Sequence, residues 1–367
     1  MTKYLSTLDR YILRKYLSTF AFVMLMLTLI SCVIDLGEKI EKFKADHVPF
    51  KTVFVDYYLN FIPHINALLF PLIALISVVF FTSRMAYNSE IISIFNAGVS
   101  FKRLMRPYLI GAGVLAAVHL FFNHIIVPRG NKTRLEVEHK YVWKGNEKGK
   151  KQNVHLFLDP TTAVFVGNYR PADTTTNDFR IEKYDKNHRV VSFIKAQSAK
   201  WNGYPNHWRL QSVQRRTFNG NGLTEYIETN VAMLDTTLDL QPEAFVRYTE
   251  QNQMLTTSEL NNEIANLERR GMGNTKPYEI ELHRRTAEPF TIFILTFIGM
   301  ALAARKVRGG MGLHLALGIG LGAVFIFFSK FAVTFATQPD VPAWFGVWIP
   351  NLIFAGVAAW LVSNAQK

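Results

Sequence analysis

The side chains in this sequence best placed for chemistry carry charge beside long apolar runs. Lys330 lies within FIFFSKFAVTF (325–335), where a charge at mid-bilayer depth costs about 2.5–3.5 kcal/mol unless it meets a partner or reaches the interface. Lys39, Lys42 and Lys44 follow an earlier apolar run. Ammonium groups clustered this way, with Lys330 at the same level, suit the phosphate oxygens of a lipid headgroup. The competing reading is that Glu38 and Glu41 balance the three lysines on a solvated surface while Lys330 snorkels. Glu90 opens the other notable stretch, NSEIISIFNAGVSFKRLM (88–105), as a lone acid near the start of a short amphipathic segment.

Signatures of catalysis are missing. GNEKGKK (145–151) has neither the glycine spacing nor the last residue of a GxxxxGK[ST] phosphate loop, so any energy used is expected to be hydrolysed by another chain. The ten histidines show no HExxH spacing; His119 and His124 are five apart and do not share a helix face, which argues against a metal pair. No GxSxG elbow occurs. Cys32 is the only cysteine, so neither an intrachain disulfide nor a cysteine-based metal site can form. No catalytic residue, metal ligand or cofactor site is expected in this chain, and an enzyme reading would need groups converging from distant positions.

The elements that must position these residues are set by hydropathy. Half of the 367 residues are hydrophobic (49%), gathered into long blocks around a polar middle. A bilayer-spanning helix needs about 20 mostly apolar residues, and six stretches qualify: 16–36, 61–82, 107–127, 287–304, 312–335 and 344–363. The first follows Arg10, Arg14 and Lys15 as a secretory signal would, but it is too long and lacks a small-residue cleavage site, so it reads as a retained span. The fourth opens on Glu288 and Pro289; proline in a first turn leaves no extra donor unsatisfied.

The net charge of +13 could suggest nucleic acid, yet its location argues otherwise. With the N-terminus inside, the inner segments hold Lys3, Arg10, Arg14, Lys15, Arg84, Lys102, Arg103, Arg106, Arg305, Lys306, Arg308 and Lys367 against only Asp9 and Glu90. The short outer segments, 35–60 and 336–343, carry four lysines against six acids. The positive-inside rule selects this orientation. Both termini are then expected in the cytoplasm, residues 128–286 outside it, and no nucleic-acid partner.

Between about 154 and 234 the sequence breaks into alternating segments (VHLFL, AVFVGNY, FRIEKYD, VVSFIKAQSAKW, HWRLQSVQRRTF, TEYIETNVAML) separated by the turn clusters DPTT, DKNH, NGYPN and NGNG. This predicts a small antiparallel β domain, as a sandwich, jelly roll or open barrel. Stretches near 131–145 and 256–285 read as helical, the second capped by Thr257 or Ser258. The β domain is either a folded insert or a handler of a ligand leaving the membrane.

In 88–105, Asn88 or Ser89 can cap a short helix, Glu90 falls in its first turn, and Gly98 can end it. Ile91, Ile94 and Phe95 then form an apolar stripe. The segment is either a surface helix whose acid answers the helix dipole, or a docking helix whose stripe fills a groove on another protein and whose acid meets a basic side chain there.

Four stretches in order resemble the LptF/LptG family of lipopolysaccharide-export permeases: LDRYILRKYL (8–17), NSEIISIFNAGVS (88–100), YEIELHRRTAEPF (278–290) and PAWFGVWIPNLIF (342–354). The first is nearer to the LptG branch than to LptF. The resemblance implies an α-helical polytopic membrane protein with six transmembrane helices and an inserted periplasmic antiparallel β domain, jellyroll-like, divided as 1–127, 128–286 and 287–367. It also implies an ABC-type half-transporter in the inner membrane, paired with a sister permease, LptF (or LptG), and an LptB ATPase dimer that uses ATP and Mg. Lipopolysaccharide would pass from membrane lipid, near the first and fifth spans, to the β domain and on to LptC, LptA and LptD. The ATPase-coupling residues would be Glu90 with Ser89, Ile91, Ile94, Phe95 and Gly98; Lys39, Lys42, Lys44 and Lys330 are the lipid-binding candidates. Asp35 stands where the LptG pattern has a lysine, and Lys42 fits a later basic position. The rival expectation is a membrane-anchored scaffold or assembly factor with a protein-binding β domain.

Overall fold

The computed structural model describes residues 6–143, 152–170, 173–204, 206–218, 226–245, 250–270, 275–305, 310–338 and 340–365. GNEKGKK, the NGNG turn cluster, Lys3, Lys306, Arg308 and Lys367 lie outside the described residues. The helices are α1 (Thr7–Ala45), α2 (Leu59–Tyr87), α3 (Glu90–Asn96), α4 (Phe101–Phe121), α5 (Val127–Val137), α6 (Thr257–Arg269), α7 (Lys276–Ala303), α8 (Gly310–Ala336) and α9 (Ala343–Ala365). π-helical turns at Thr52–Tyr58 and Phe122–Ile126 join α2 and α5 to what precedes them, and a third, Glu138–Val142, follows α5. Among the described residues six helical rods are long and apolar enough to cross a membrane: Thr7–Ala45, Thr52–Tyr87, Phe101–Val142, Lys276–Ala303, Met311–Ala336 and Ala343–Ala365. Several outrun their apolar stretch. The third carries Pro128 in its interior, just after the π-helical turn Phe122–Ile126, where local widening accommodates the missing N–H.

The chain forms two compact units. The helical unit comprises 1–142, 252–260 and 276–367. Its core gathers Ile12, Tyr16 and Phe20 of α1, Ile73, Val78, Phe81 and Met85 of α2, Ile91 of α3, Leu104 and Tyr108 of α4, and Ile292 and Met300 of α7. α1 crosses α4 at Gly111, where a Cβ would overlap the Tyr16 ring. Polar side chains tie the helices together: Tyr16 Oη lies 2.9 Å from Thr296 Oγ1, and Thr291 Oγ1 donates to Asn351 Oδ1 at 2.8 Å. In hydrocarbon, such bonds and small-residue contacts hold helices that the hydrophobic effect does not.

The second unit, 143–251 with 261–275, contains β1 (Gln152–Asp159), β2 (Thr162–Arg170), β3 (Thr175–Tyr184), β4 (Val190–Trp201), β5 (His207–Phe218) and β6 (Tyr226–Thr237). They form one antiparallel sheet in sequential order. The expected antiparallel β insert is thus present; its described strands form a meander, without the crossovers of a Greek key. Alternation puts Val154, Leu156, Val164, Val166, Phe179, Ile181, Trp208 and Leu210 into a single apolar cluster with Leu240 and Phe245. The Trp208 indole donates to the Leu240 carbonyl at 2.9 Å, so this large side chain is buried without an unsatisfied donor.

Candidate functional site

The short helix α3 hangs between α2 and α4. Seven residues are too few to hold a helix in water, so its shape depends on its ends and its anchor. Ser89 holds the N-cap position at φ +62° and its side chain makes no capping hydrogen bond, contrary to the capping role expected of it. Asn88 closes α2 instead, its N–H donating to Arg84 O at 3.0 Å. At the other end Gly98, at φ +82°, ends α3 as the sequence predicts: its N–H donates to Phe95 O at 2.9 Å and that of Val99 to Ile94 O at 3.3 Å. This is the paired closure that requires a left-handed residue.

The expected outward stripe of Ile91, Ile94 and Phe95 is corrected. Ile91 is fully buried in the helical core and Ile94 packs against that core, because a helix this short needs an anchor. The apolar side chains left outside are Ile92 and Phe95.

Glu90 is neither free nor simply set against the helix dipole. Tyr11 Oη donates to its Oε2 at 2.8 Å, and Lys15 Nζ lies 3.1 and 3.3 Å from its two oxygens. Lys15 also stands 4.3 Å from the centre of the Tyr11 ring. Partial burial alone would raise the Glu90 carboxyl's pKa. The hydrogen bonds from Tyr11 and Lys15, with the Lys15 charge, outweigh it and hold the group below the usual glutamate range. A second ion pair stands beside this one and was not foreseen. Arg103, in the first turn of α4, grips Asp9 with both nitrogens, at 2.6 and 2.7 Å, and also donates to Ser6 Oγ at 3.1 Å. Asp9 meanwhile forms the capping box of α1 with Ser6. The available signal was that Asp9 and Glu90 are the only acids among twelve inner basic residues.

The lysine group divides. Lys39 turns inward: its Nζ is 2.5 Å from Asp35 Oδ1 and 2.8 Å from Glu138 Oε1, and it also bonds Tyr57 Oη. Arg134 completes the cluster at 3.2 Å from Glu138. Lys39 therefore neutralises buried acids instead of Glu38 or Glu41, which removes it from a cationic rim. Asp35, at the position where the LptG pattern has a lysine, is one of those acids. Lys42 and Lys44 remain exposed around the buried Phe43. Lys330 is exposed too, on the face of α8 that carries Phe327 and Phe331.

At the start of α7 a denser network joins Arg284 to Glu281 (2.9 Å) and Glu288 (2.7 Å), and Arg285 to Glu281 (2.9 Å); Asn123 donates to Glu288 at 2.8 Å. Nearby, His119 and His124 part company: His119 Nε2 meets the Ala67 carbonyl at 3.0 Å and His124 Nδ1 the Thr257 hydroxyl at 2.7 Å. Among the described residues no group of three His, Cys, Asp or Glu side chains gathers as a metal site.

α3 is thus a short helix held between two long apolar helices, with an acid at its start. The family model for the lipopolysaccharide export system permease LptF/LptG matches residues 10–364. This chain belongs to that family. It is 22% identical, over 363 residues and 99% of each chain, to the lipopolysaccharide export system permease protein LptG of Haemophilus influenzae. The LptG protein of Escherichia coli K12 is 19% identical over 357 residues, 97% of each chain. As an LptF/LptG permease the chain has a transport role rather than a catalytic one, and is a multi-pass protein of the inner membrane.

Proposed function

We propose that this chain is one permease half of an ABC-type lipopolysaccharide exporter, driven by a separate LptB ATPase dimer that binds ATP and Mg. The observation carrying this reading is α3: a helix anchored from within by Ile91, presenting Ile92 and Phe95 outward beside Glu90. A preformed helix with apolar anchors and one charge is suited to a groove on another protein. Glu90 would meet a basic side chain there.

The other half of the assembly would be a sister permease, LptF (or LptG). α1 and α8 are the spans least covered within this chain, and they are the first and fifth, where the family resemblance implies lateral loading. Phe22, Leu25, Leu29 and Val33 on α1 and Phe327 and Phe331 on α8 are left exposed by the chain itself. Lys42, Lys44 and Lys330 would attract headgroup phosphates, and Lys39 would hold α1, which carries the first two. The charge bias of the loops supports cytoplasmic termini and a periplasmic β unit, from which lipopolysaccharide would pass to LptC and the LptA bridge.

Coexpression with the sister permease and LptB tests this reading. A stable complex is expected, and Glu90→Ala should weaken LptB retention while leaving the chain in the membrane. A wild-type chain that binds no ATPase in an assay validated with a known exporter would favour the scaffold reading.

A further inference from the structure

The two ion pairs beside α3 share a feature that docking alone does not require: both end on the first three turns of α1. Tyr11 and Lys15 hold Glu90, the first residue of α3, while Asp9 and Ser6 hold Arg103, just beyond its end. Between them Ile12 and Tyr16 of α1 enter the same buried core as Ile91 of α3 and Phe101 and Leu104 of α4. The segment 90–103 is thus fastened to α1 at both ends.

Between these clamps and the Lys39 cluster at its other end, α1 is sparsely covered. Its apolar window is only 6% buried within the chain, against 61% for α2 and α7. A rod sparsely covered along its length is displaced through its fixtures, and on this side of the membrane stretch those are the two clamps. A capping box makes the end stiff, since Asp9 Oδ2 accepts from both the Ser6 N–H and the Ser6 hydroxyl, at 3.0 and 2.9 Å, as well as from Arg103. A bidentate arginine also fixes orientation as a single ammonium would not.

We infer that Lys15, Tyr11, Asp9 and Arg103 are positioning residues that key α3 and the start of α4 to α1, so that displacement of α3 by a docked ATPase is delivered to α1 first. This rests on the coupling role proposed for α3. It adds a route: besides α2 and α4, which adjoin α3 along the chain, the outward-facing span α1 is tied to it by side chains. Removing the two clamps should leave docking intact, because Ile92, Phe95 and Glu90 remain, and should lose the stroke.

The test uses the complete complex of this chain, its sister permease and LptB in proteoliposomes of phospholipid and lipopolysaccharide. Three quantities are read for wild type, Lys15→Gln, Arg103→Gln and the double variant: LptB retained, ATP hydrolysed, and lipopolysaccharide extracted per ATP. The expected result is normal retention and continued hydrolysis, with extraction per ATP lower by about fivefold or more in the double variant, the lower end of typical coupling between sites. Lys15→Arg with Arg103→Lys, which keep the charges but give up the bidentate grip on Asp9, should recover part of that loss. Extraction per ATP equal to wild type in the double variant would overturn the inference and leave the coupling role standing. Loss of LptB retention or of the folded chain in the charge-keeping pair as well would make the clamps structural only, and would also overturn it. A wild-type complex that fails to assemble would bring down the coupling role itself and this inference with it.

Discussion

Lys39 and Lys42 are three residues apart on α1 yet serve different chemistries. Lys39 offsets Asp35 and Glu138 in a buried cluster, so Lys39→Met leaves Glu138 to Arg134 and Asp35 to the hydroxyls of Tyr57 and Tyr58. Breaking one partner out of a buried pair costs about 3–5 kcal/mol, and a clear fall in the melting temperature of the purified protein is expected. Lys42→Ala and Lys44→Ala, both exposed, should each stay within about 0.5 kcal/mol of wild type by the same measurement. Glu90 gives a pH dependence with a definite sign. Its carboxyl is held below the usual range, so its contribution is complete above the ordinary glutamate value of about 4.3 and is lost as pH falls through the lower folded value. The difference in melting temperature between wild type and Glu90→Gln should accordingly be flat from neutral pH to about 5 and shrink below that. A difference that grew on acidification would contradict the clamp. The sequence singles out Glu90 by its position in a short amphipathic segment. It could not supply the partners, because Lys15 and Tyr11 are 75 and 79 positions away and only the packing of α1 against α2 and α4 brings them near.

At the level of elements, long apolar runs gave all six spans, because a bilayer imposes one length on every crossing. Turn clusters and alternation located the β insert. The side of α3 that faces the core differs from the expected stripe for a physical reason: on a two-turn helix the residues at Ile91 and Ile94 are apolar whether they face a partner or the chain's own core, and periodicity does not distinguish the two. The π-helical turns were also not legible, since their widened spacing reflects tertiary demands: Thr52–Tyr58 carries Tyr57 into the Lys39 cluster, and Glu138–Val142 begins with the cluster's second acid. The inside and outside of α3 can be separated experimentally. Ile91→Ala removes a fully buried side chain and should cost about 2–4 kcal/mol. Ile92→Ala should leave stability within about 0.5 kcal/mol while weakening LptB retention in copurification. If Ile92→Ala retained LptB as wild type does, the docking face would lie elsewhere on the helix.

For the whole molecule, the proposed orientation rests on charge: the segments flanking the spans on one side are basic, and those on the other are mixed or acidic. The rule behind this is statistical across membrane proteins, and one chain can be tested directly. The single native cysteine, Cys32, lies in α1, so Cys32→Ser gives a background in which one introduced thiol reports one location. Tyr204, between β4 and β5, is 89% exposed, and Asn96 at the end of α3 is exposed as well. Neither belongs to the buried clusters, and a cysteine at either should be tolerated. In intact spheroplasts a membrane-impermeant maleimide should label Tyr204→Cys and spare Asn96→Cys, which should react only after the membrane is opened. The reverse pattern would place α3 outside the cytoplasm, out of reach of any ATP-hydrolysing partner. The proposed coupling role and the keying of α1 to α3 would then both fall, whatever the family supplies by resemblance.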